Sequence, residues 1–146
     1  MPLSLPLRDQ VLLNGTLIHG LDYDDTHIAG VIHASASALT TGLGQALKTN
    51  ASGADLLTAY LVGVETGARS GMAANGGFHV RGHHPTGLVG TFGATLTASK
   101  LAGLPARKMM DAQGIALSMA AGSLEFLSDG AWTKRMHPGW AGVSGI

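Results

Sequence analysis

The stretch GLDYDDTHIAGVIHAS, Gly20 to Ser35, concentrates side chains that can bind a cation or move a proton. The chain as a whole is poor in charge, with only 12% Asp, Glu, Lys and Arg. This stretch nevertheless contains three aspartates, one threonine and two histidines: Asp22, Asp24, Asp25, Thr26, His27 and His33. Three interpretations stay open: a solvated turn that caps the next helix, a metal site, or a site that transfers protons on an acidic substrate.

A metal site in this loop would need three or four ligands in a fixed arrangement, and Asp22, Asp25 and His33 are the candidates. The spacing D-x-D-D-T-H differs from the D-D-x-x-D pattern of all-helical isoprenoid synthases. It also has no Gly and Glu at the offsets that an EF-hand loop requires. The sequence therefore favours no metal, and a metal-dependent enzyme remains an alternative that insensitivity to a strong chelator would exclude.

A second cluster lies in NGGFHVRGHHPTG. His79 and His83 are four residues apart, as two ligands on one helix would be, but the flanking glycines favour a surface loop. Pro85 and Thr86 are typical of a helix start. His84 would then precede a helix N-terminus, where the helix dipole favours a neutral imidazole and attracts anions.

The third cluster, in SDGAWTKRMHPGW, combines one acid with three basic side chains: Asp129, Lys134, Arg135 and His137. Two adjacent cations between Trp132 and Trp140 are unusual in a chain of such low charge. A solvated basic turn is one interpretation. A site for a carboxylate or phosphate group is the functional one.

The elements that must position these clusters are helices, because the chain has few β-branched clusters and no sustained alternation of apolar and polar residues. Apolar and cap spacing predicts an all-α bundle of about five helices, near residues 7–19, 35–48, 53–74, 86–102 and 105–127. The connections are expected at residues 20–34, 75–85 and 128–138. The last ten residues, HPGWAGVSGI, begin with a turn signal at Pro138 and Gly139. No further helix or strand is expected between this turn and the last residue.

Two kinds of side chain are expected to pack this bundle. Small residues recur every four positions and would let helix backbones approach closely: Gly63, Gly67, Gly71, Gly90, Ala94 and Ala98. Larger apolar residues are expected on one face of the third helix and in the core of the fifth: Leu56, Leu57, Tyr60, Leu61, Val64, Met109, Met110, Met119, Leu124 and Leu127. The third and fourth helices are expected to be central.

Composition narrows the class of protein. The length of 146 residues predicts a single helical domain over 1–146. A net charge of zero gives no basic surface for nucleic acid, and there is no cysteine for disulfide or thiolate chemistry. No apolar run is long enough for a membrane span, and MPLSLPLRDQVLL is not typical of a signal peptide. We therefore expect a cytoplasmic protein that binds neither nucleic acid nor membrane.

If the bundle brings the three loops to one end, they form a polar pocket that contains acids, bases and cations. Such a pocket suits proton transfer on an anionic substrate. A helical packing or dimerisation module without catalysis is the alternative from another class of protein. Binding of small polycarboxylates distinguishes the two.

Three longer motifs carry a resemblance to a known family: LLNGTLIHGLDYDDTH, GHHPTGLVGTFGATLTASKLAGL and SMAAGSLEFLSDGAWTKRMHPGWA. In this order and spacing they resemble the MmgE/PrpD family of 2-methylcitrate dehydratases, cis-aconitate decarboxylases and iminodisuccinate epimerases. The resemblance implies an enzyme without a cofactor, a homodimer, and a large helical domain with a smaller α+β lid domain. This chain resembles only the middle of that helical domain, without the lid.

The resemblance also implies site residues. The family's active-site positions fall on Asp22, Thr26, His33, His84 and Lys134, and His27 is a rival to His33. Arg135 and His137 are further candidates for substrate binding.

Roles for these residues follow from the chemistry next to a carboxylate that the resemblance implies. Lys134 would bind a substrate carboxylate and stabilise developing negative charge, and His84 would act as general acid or base. His33 would bind a carboxylate or deliver a second proton, Thr26 would hydrogen-bond substrate, and Asp22 would orient a histidine or bind a hydroxyl. Dehydration of a 2-methylcitrate-like acid is the expected activity, and decarboxylation and epimerisation are alternatives.

Overall fold

The structure, a computed structural model, describes residues 5–146. Over these residues it contains no strand and consists of eight α-helices and one short 3-10 helix, Ile28–Gly30. The α-helices are α1 Leu7–His19, α2 Ser35–Thr49, α3 Gly53–Ala74, α4 Gly77–Val80, α5 Pro85–Leu101, α6 Ala106–Met119, α7 Phe126–Asp129 and α8 Thr133–Gly145. The prediction of an all-α fold is confirmed, and the number of helices is higher than the five expected.

Helix α5 lies at the centre of the bundle and contacts α2, α3, α6 and α8. Three of its buried threonines, Thr91, Thr95 and Thr97, are compatible with this position because their hydroxyls donate to carbonyls one turn earlier. Thr95 Oγ1 donates to the carbonyl of Thr91 at 2.8 Å, and Thr97 Oγ1 donates to that of Gly93 at 3.0 Å. A helix rich in small and self-satisfied polar side chains can therefore be buried on several sides.

Helices α3 and α5 pack through Gly63, as the small-residue spacing of α3 predicts. A Cβ placed on Gly63 would meet the backbone carbonyl of Gly93 at 2.9 Å. Gly67 faces the connection before α2 instead, where an added Cβ would meet Ile32 at 3.3 Å. Gly90 faces Ser37 of α2 and Ala141 of α8 instead of α3. The α3–α5 contact therefore leaves no room for larger side chains.

The prediction of which apolar side chains are buried is partly wrong. Leu57 and Leu61 are 61% and 62% exposed, because α3 buries its small-residue side. Met110, Met119 and Leu127 are also exposed instead of forming a core. The predicted helix 105–127 ends at Met119, since Ala120 is extended and Gly122 has a φ of 147°.

The last helix was missed by the sequence analysis. Lys134, Arg135 and His137 lie in α8, not in a loop, and Pro138 lies inside that helix. Pro138 removes one backbone donor, but it is buried with Gly139 against α1. A Cβ on Gly15 would lie 2.5 Å from Gly139 Cα, so the two backbones touch and this packing keeps α8 helical through the proline.

None of the helices between residues 5 and 146 has both the length and the hydropathy that a lipid bilayer crossing requires.

Candidate active site

A cavity of about 540 Å³ lies where the end of α1, the start of α5 and the α7–α8 connection meet. The residues that the sequence analysis singled out and that line this polar cavity are Asp22, Thr26, His33, His79, His84, Lys134 and Arg135. Apolar side chains form the rest of its wall, among them Leu124, Phe126 and Leu127. The structure thus brings the three polar clusters to one place.

Asp22 and Lys134 form an ion pair across this cavity. Asp22 has a left-handed backbone with a φ of 57°, and Lys134 Nζ donates to its Oδ2 at 2.5 Å. Burial disfavours the charge of Asp22, but the hydrogen bond and charge of Lys134 outweigh burial and hold the pKa of Asp22 below its ordinary value. The first turn of α8 therefore places an ammonium group beside the acidic loop.

Asp24 lies behind this pair and contacts two histidines. Its side chain is 3% exposed, and its Oδ2 accepts from His19 Nδ1 at 2.9 Å. Its Oδ1 lies 3.3 Å from His33 Nδ1. Because a carboxylate only accepts hydrogen bonds, His19 carries its hydrogen on Nδ1, and the negative charge favours the same tautomer of His33. Both Nε2 atoms then have a free lone pair.

His84 is buried at the start of α5, and its environment keeps it neutral. Its Nδ1 lies 2.9 Å from Nδ1 of His137, so one of the two donates and the other accepts. Burial, followed by the charges of His137 and His19, lowers the pKa of His84 to about 3. Burial and His19 also lower the pKa of His137. The ring of Phe126 packs edge-on against His84 at 5.6 Å between centroids.

The three residues predicted to bind substrate, Thr26, Arg135 and His137, take different positions relative to the cavity. Thr26 Oγ1 lies 3.5 Å from His33 Nδ1 at the exposed rim. Arg135 Nε donates to the carbonyl of Gly20 at 2.9 Å, and its guanidinium lies 4.2 Å from the centroid of the Trp132 ring. His137 is behind His84 and is not among the residues that line the cavity. Arg135 therefore also ties α8 to the loop that follows α1.

The structure separates His27 from His33. His27 Nδ1 accepts from the backbone N–H of Gly30 at 3.0 Å and caps the 3-10 helix, whereas His33 lines the cavity. Asp25 does not join Asp22 and His33, the other two residues of the alternative metal site, in one cluster of possible ligands. Its carboxylate accepts from the backbone N–H of Ser35 at 3.0 Å, so the trio of Asp22, Asp25 and His33 is not assembled.

His19 is the residue of this site that the sequence analysis missed. Its side chain is completely buried, and its ring lies 4.7 Å from that of His33 and 6.0 Å from that of His84 between centroids. The signal was present in the sequence. Val11, Gly15 and His19 follow at intervals of four and form the buried side of α1. A histidine in that series faces the interior and not the solvent.

The geometry can bind a carboxylate and transfer protons. An ammonium group, an arginine and several imidazoles surround one cavity, and two carboxylates fix the orientation of these groups. The imidazoles differ in burial, which sets different proton affinities at neighbouring positions. These are the requirements for chemistry at a carbon next to a carboxylate.

Comparison with known proteins supplies an independent finding. The model of the MmgE/PrpD N-terminal domain matches residues 3–146. The chain is 34% identical over 150 residues to a cis-aconitate decarboxylase of Homo sapiens, across 99% of this chain and 30% of that protein. It is 33% identical to the cis-aconitate decarboxylase of Mus musculus, across 97% of this chain and 30% of that protein. It is 35% identical to a cis-aconitate decarboxylase-like protein of Aspergillus oryzae, across 92% of this chain and 30% of that protein. The chain thus spans about 30% of the length of these relatives.

Proposed function

The chain belongs to the MmgE/PrpD family, and we propose that its polar cavity is the part of a lyase active site that binds a small polycarboxylate and transfers protons on it. The observation that carries the proposal is the convergence of Lys134, His33 and His84 on one cavity. No cofactor is assigned to the reaction. The activity of the whole protein, its cytoplasmic location and its assembly as a homodimer are parts of the same proposal.

Lys134 anchors the substrate in this proposal. Its ammonium group is paired with Asp22, and its side chain is about one quarter exposed and lines the cavity, so an incoming carboxylate can reach it. A cation at this position would also stabilise the negative charge that develops on a carboxylate when the neighbouring carbon becomes carbanion-like. Arg135 and Thr26 at the rim are assigned to the substrate's other oxygen atoms.

His33 and His84 are assigned the proton transfers. The low pKa of His84 leaves this imidazole neutral at pH 7. Two or three substrate carboxylates would raise that pKa because nearby negative charge favours the imidazolium form. Binding of the substrate would thus cause His84 to take up the proton that it later donates. His33, held from behind by Asp24, would receive or deliver the second proton.

Decarboxylation of a cis-aconitate-like acid is placed first because the relatives named above are cis-aconitate decarboxylases. In this reaction the bond between a methylene carbon and its carboxylate breaks, and CO₂ leaves. The electron pair moves toward the neighbouring double bond, which shifts by one position. The carbon beside a second carboxylate then takes up one proton. Dehydration of a 2-methylcitrate-like acid remains a prediction from the sequence, with the same groups acting on a hydroxyl leaving group.

The test measures acid binding by the chain through its thermal shift with citrate, 2-methylcitrate, cis-aconitate, itaconate and aspartate-derived acids. We expect stabilisation that Lys134→Ala removes and that Lys108→Ala, a change of an exposed lysine on α6, retains. Lys134→Ala should lower the affinity for the acid, or the rate of the reaction, by roughly two orders of magnitude. This is the effect of removing one donor from an oxyanion hole.

No shift with any acid, despite a normal melting transition, would favour the non-catalytic packing module. For any acid that binds, NMR of the products in D₂O distinguishes loss of CO₂ from loss of water.

A further inference from the structure

His137 does not line the polar cavity, but its ring is hydrogen-bonded to a residue that does. Its Nδ1 lies 2.9 Å from Nδ1 of His84, and His84 lines the cavity. Burial lowers the pKa of both residues, so both rings are neutral at pH 7. A neutral imidazole carries one hydrogen and one lone pair, and the two Nδ1 atoms therefore share a single hydrogen.

A second cavity, of about 350 Å³, is lined by His137 and not by His84. Phe126 and Ala131 line both cavities and form a wall between them. The ring of Phe126 packs edge-on against both imidazoles, with its centroid 5.6 Å from that of His84 and 5.8 Å from that of His137. The two hydrogen-bonded imidazoles therefore pass beside Phe126 from one cavity to the other.

The second nitrogen of each ring is accessible. Neither Nε2 of His84 nor Nε2 of His137 has a hydrogen-bond partner between residues 5 and 146, and neither atom is completely buried. Nε2 of His84 is thus the ring atom that can act in the polar cavity. Nε2 of His137 is the ring atom that can exchange a proton with water in the second cavity.

The proposed decarboxylation requires a supply of protons. Each turnover takes up one proton, because a C–H bond replaces the bond between carbon and carboxylate. His84 is assigned this proton, and while its Nε2 faces the substrate, water cannot reprotonate that atom. Nδ1 is the other basic atom of the ring, and it faces His137. The proton that His84 delivers is then replaced through His137.

We propose that His137 is a positioning residue that relays protons from the second cavity to His84, an inference that rests on the proposed lyase function. A proton from water binds Nε2 of His137, and the hydrogen on Nδ1 of His137 passes to Nδ1 of His84. The hydrogen on Nε2 of His84 passes to the substrate carbon. Each imidazole gains one hydrogen and loses one, so both stay neutral and one proton reaches the substrate.

The relay is reset after the product leaves. Water in the polar cavity then protonates Nε2 of His84, and its Nδ1 hydrogen returns to Nδ1 of His137. Nε2 of His137 releases its hydrogen to water in the second cavity. This reverse transfer restores the starting tautomer of each ring.

The charged groups around His137 are compatible with this role. Glu125 and Asp129 are exposed and line the second cavity with it, so negative charge attracts protons to the cavity where the relay begins. From the other side it faces His84 of α5, and the charge of His19 of α1 helps to keep it neutral. Lys134 precedes it by one turn on α8.

The experiment measures how fast the ring hydrogen of His84 exchanges with water, by NMR of the chain with ¹⁵N-labelled histidines. An acid that stabilises the chain, with citrate tried first, is present at saturation and faces Nε2 of His84. We expect His137→Asn to slow this exchange about tenfold or more. Asparagine keeps an amide donor for Nδ1 of His84 but cannot take up and pass on a proton. A purely structural role of His137 predicts unchanged exchange.

Free imidazole provides a second measurement. His137→Ala should slow the exchange in the same way, and imidazole added to the solution should restore it by entering the second cavity. His83→Gln is the matched control, because it changes an exposed histidine next to His84 that lines neither cavity. It should leave the exchange rate unchanged.

The outcomes separate this proposal from the proposed function. Fast exchange in His137→Asn, with the acid bound and a normal melting transition, would overturn the relay alone. Slow exchange in His137→Ala that imidazole does not restore would also overturn it. Failure of every acid to stabilise the unchanged chain would overturn the proposed function, and the relay with it.

Discussion

Asp24 holds the acidic loop together through two histidine contacts made by one buried carboxylate. We expect Asp24→Asn to lower the free energy of unfolding by about 1–3 kcal/mol, because the amide cannot accept on both sides and leaves a buried donor or acceptor unpaired. Urea denaturation measures the effect. Asp25→Asn is the matched control, since this exposed residue accepts from the backbone N–H of Ser35 and from no other group between residues 5 and 146. Equal losses in the two variants would contradict the role of Asp24.

The pair of His84 and His137 predicts how stability depends on pH. The pKa of His84 is lowered to about 3 in the folded chain, and the unfolded chain has the ordinary value near 6.5. Below pH 6.5 the unfolded state therefore binds more protons than the folded state. The contribution of His84 to the free energy of unfolding is therefore fully present above pH 6.5. It is lost as the pH falls toward 3, by up to about 1.4 kcal/mol per pH unit.

His84→Gln isolates this contribution. The free energy of unfolding of the unchanged chain should fall more steeply between pH 6.5 and pH 4 than that of the variant. Urea denaturation at several pH values measures both slopes. Carboxylates titrate in both proteins, so the difference between the slopes reports His84. Parallel slopes would show that His84 is not held neutral.

At the residue scale the sequence could identify side chains but not their partners. Asp22, His33, His84 and Lys134 were recognisable as chemistry-bearing residues, and the structure places all four on the cavity. His27 caps the 3-10 helix and His33 faces the cavity, and between them the chain turns through Val31, which is left-handed with a φ of 54°. Backbone geometry of this kind has no simple sequence pattern, and the functional roles of these residues stay predictions.

At the scale of elements, the contact between α1 and α8 positions Lys134. A Cβ on Gly139 would collide with the backbone carbonyl of Leu12. We expect Gly139→Ala to destabilise the chain by about 1–3 kcal/mol, since overpacking against backbone outweighs the helix propensity of alanine. The change should also weaken acid binding, because it pushes α8 away from the acidic loop.

Gly114→Ala is the matched control in α6, where no described atom beyond the helix's own neighbouring backbone lies within 4 Å of the added Cβ. It should stabilise the chain by up to about 1 kcal/mol through helix propensity alone. Thermal melts should show a lower melting temperature for Gly139→Ala and a higher one for Gly114→Ala than for the unchanged chain. A stabilising Gly139→Ala would contradict the close contact of the two helices.

Helix boundaries were predictable where local signals agreed. Helices α1 and α3 begin and end at the predicted residues, and Ser52 and Asp55 form a capping box at the start of α3. Helix α8 was not predictable because tertiary packing overrides its internal Pro138. The exposed methionines of α6 show that tertiary packing also decides which apolar side chains are buried. An apolar side chain is buried only where its helix packs against another element on that side.

At the scale of the whole molecule, large apolar side chains remain on the surface while small ones fill the interior. Leu57, Leu61, Ile115 and Leu117 are all more than half exposed. Such a surface favours association. We expect the chain to self-associate, in line with the predicted homodimer, and sedimentation velocity over a range of protein concentrations measures it. A monomer at the highest concentration would contradict this prediction.

The glycine and threonine packing around α5 also has a thermodynamic consequence. Unfolding raises the heat capacity in proportion to newly exposed apolar area, and newly exposed polar area lowers it. Here much of the buried surface belongs to Gly, Ala and Thr, and many leucines and methionines are already in water. The heat capacity of unfolding should therefore lie below the usual value of roughly 12–15 cal/mol/K per residue. The stability curve of this chain is then flat, and its free energy of unfolding changes little between cold and warm conditions.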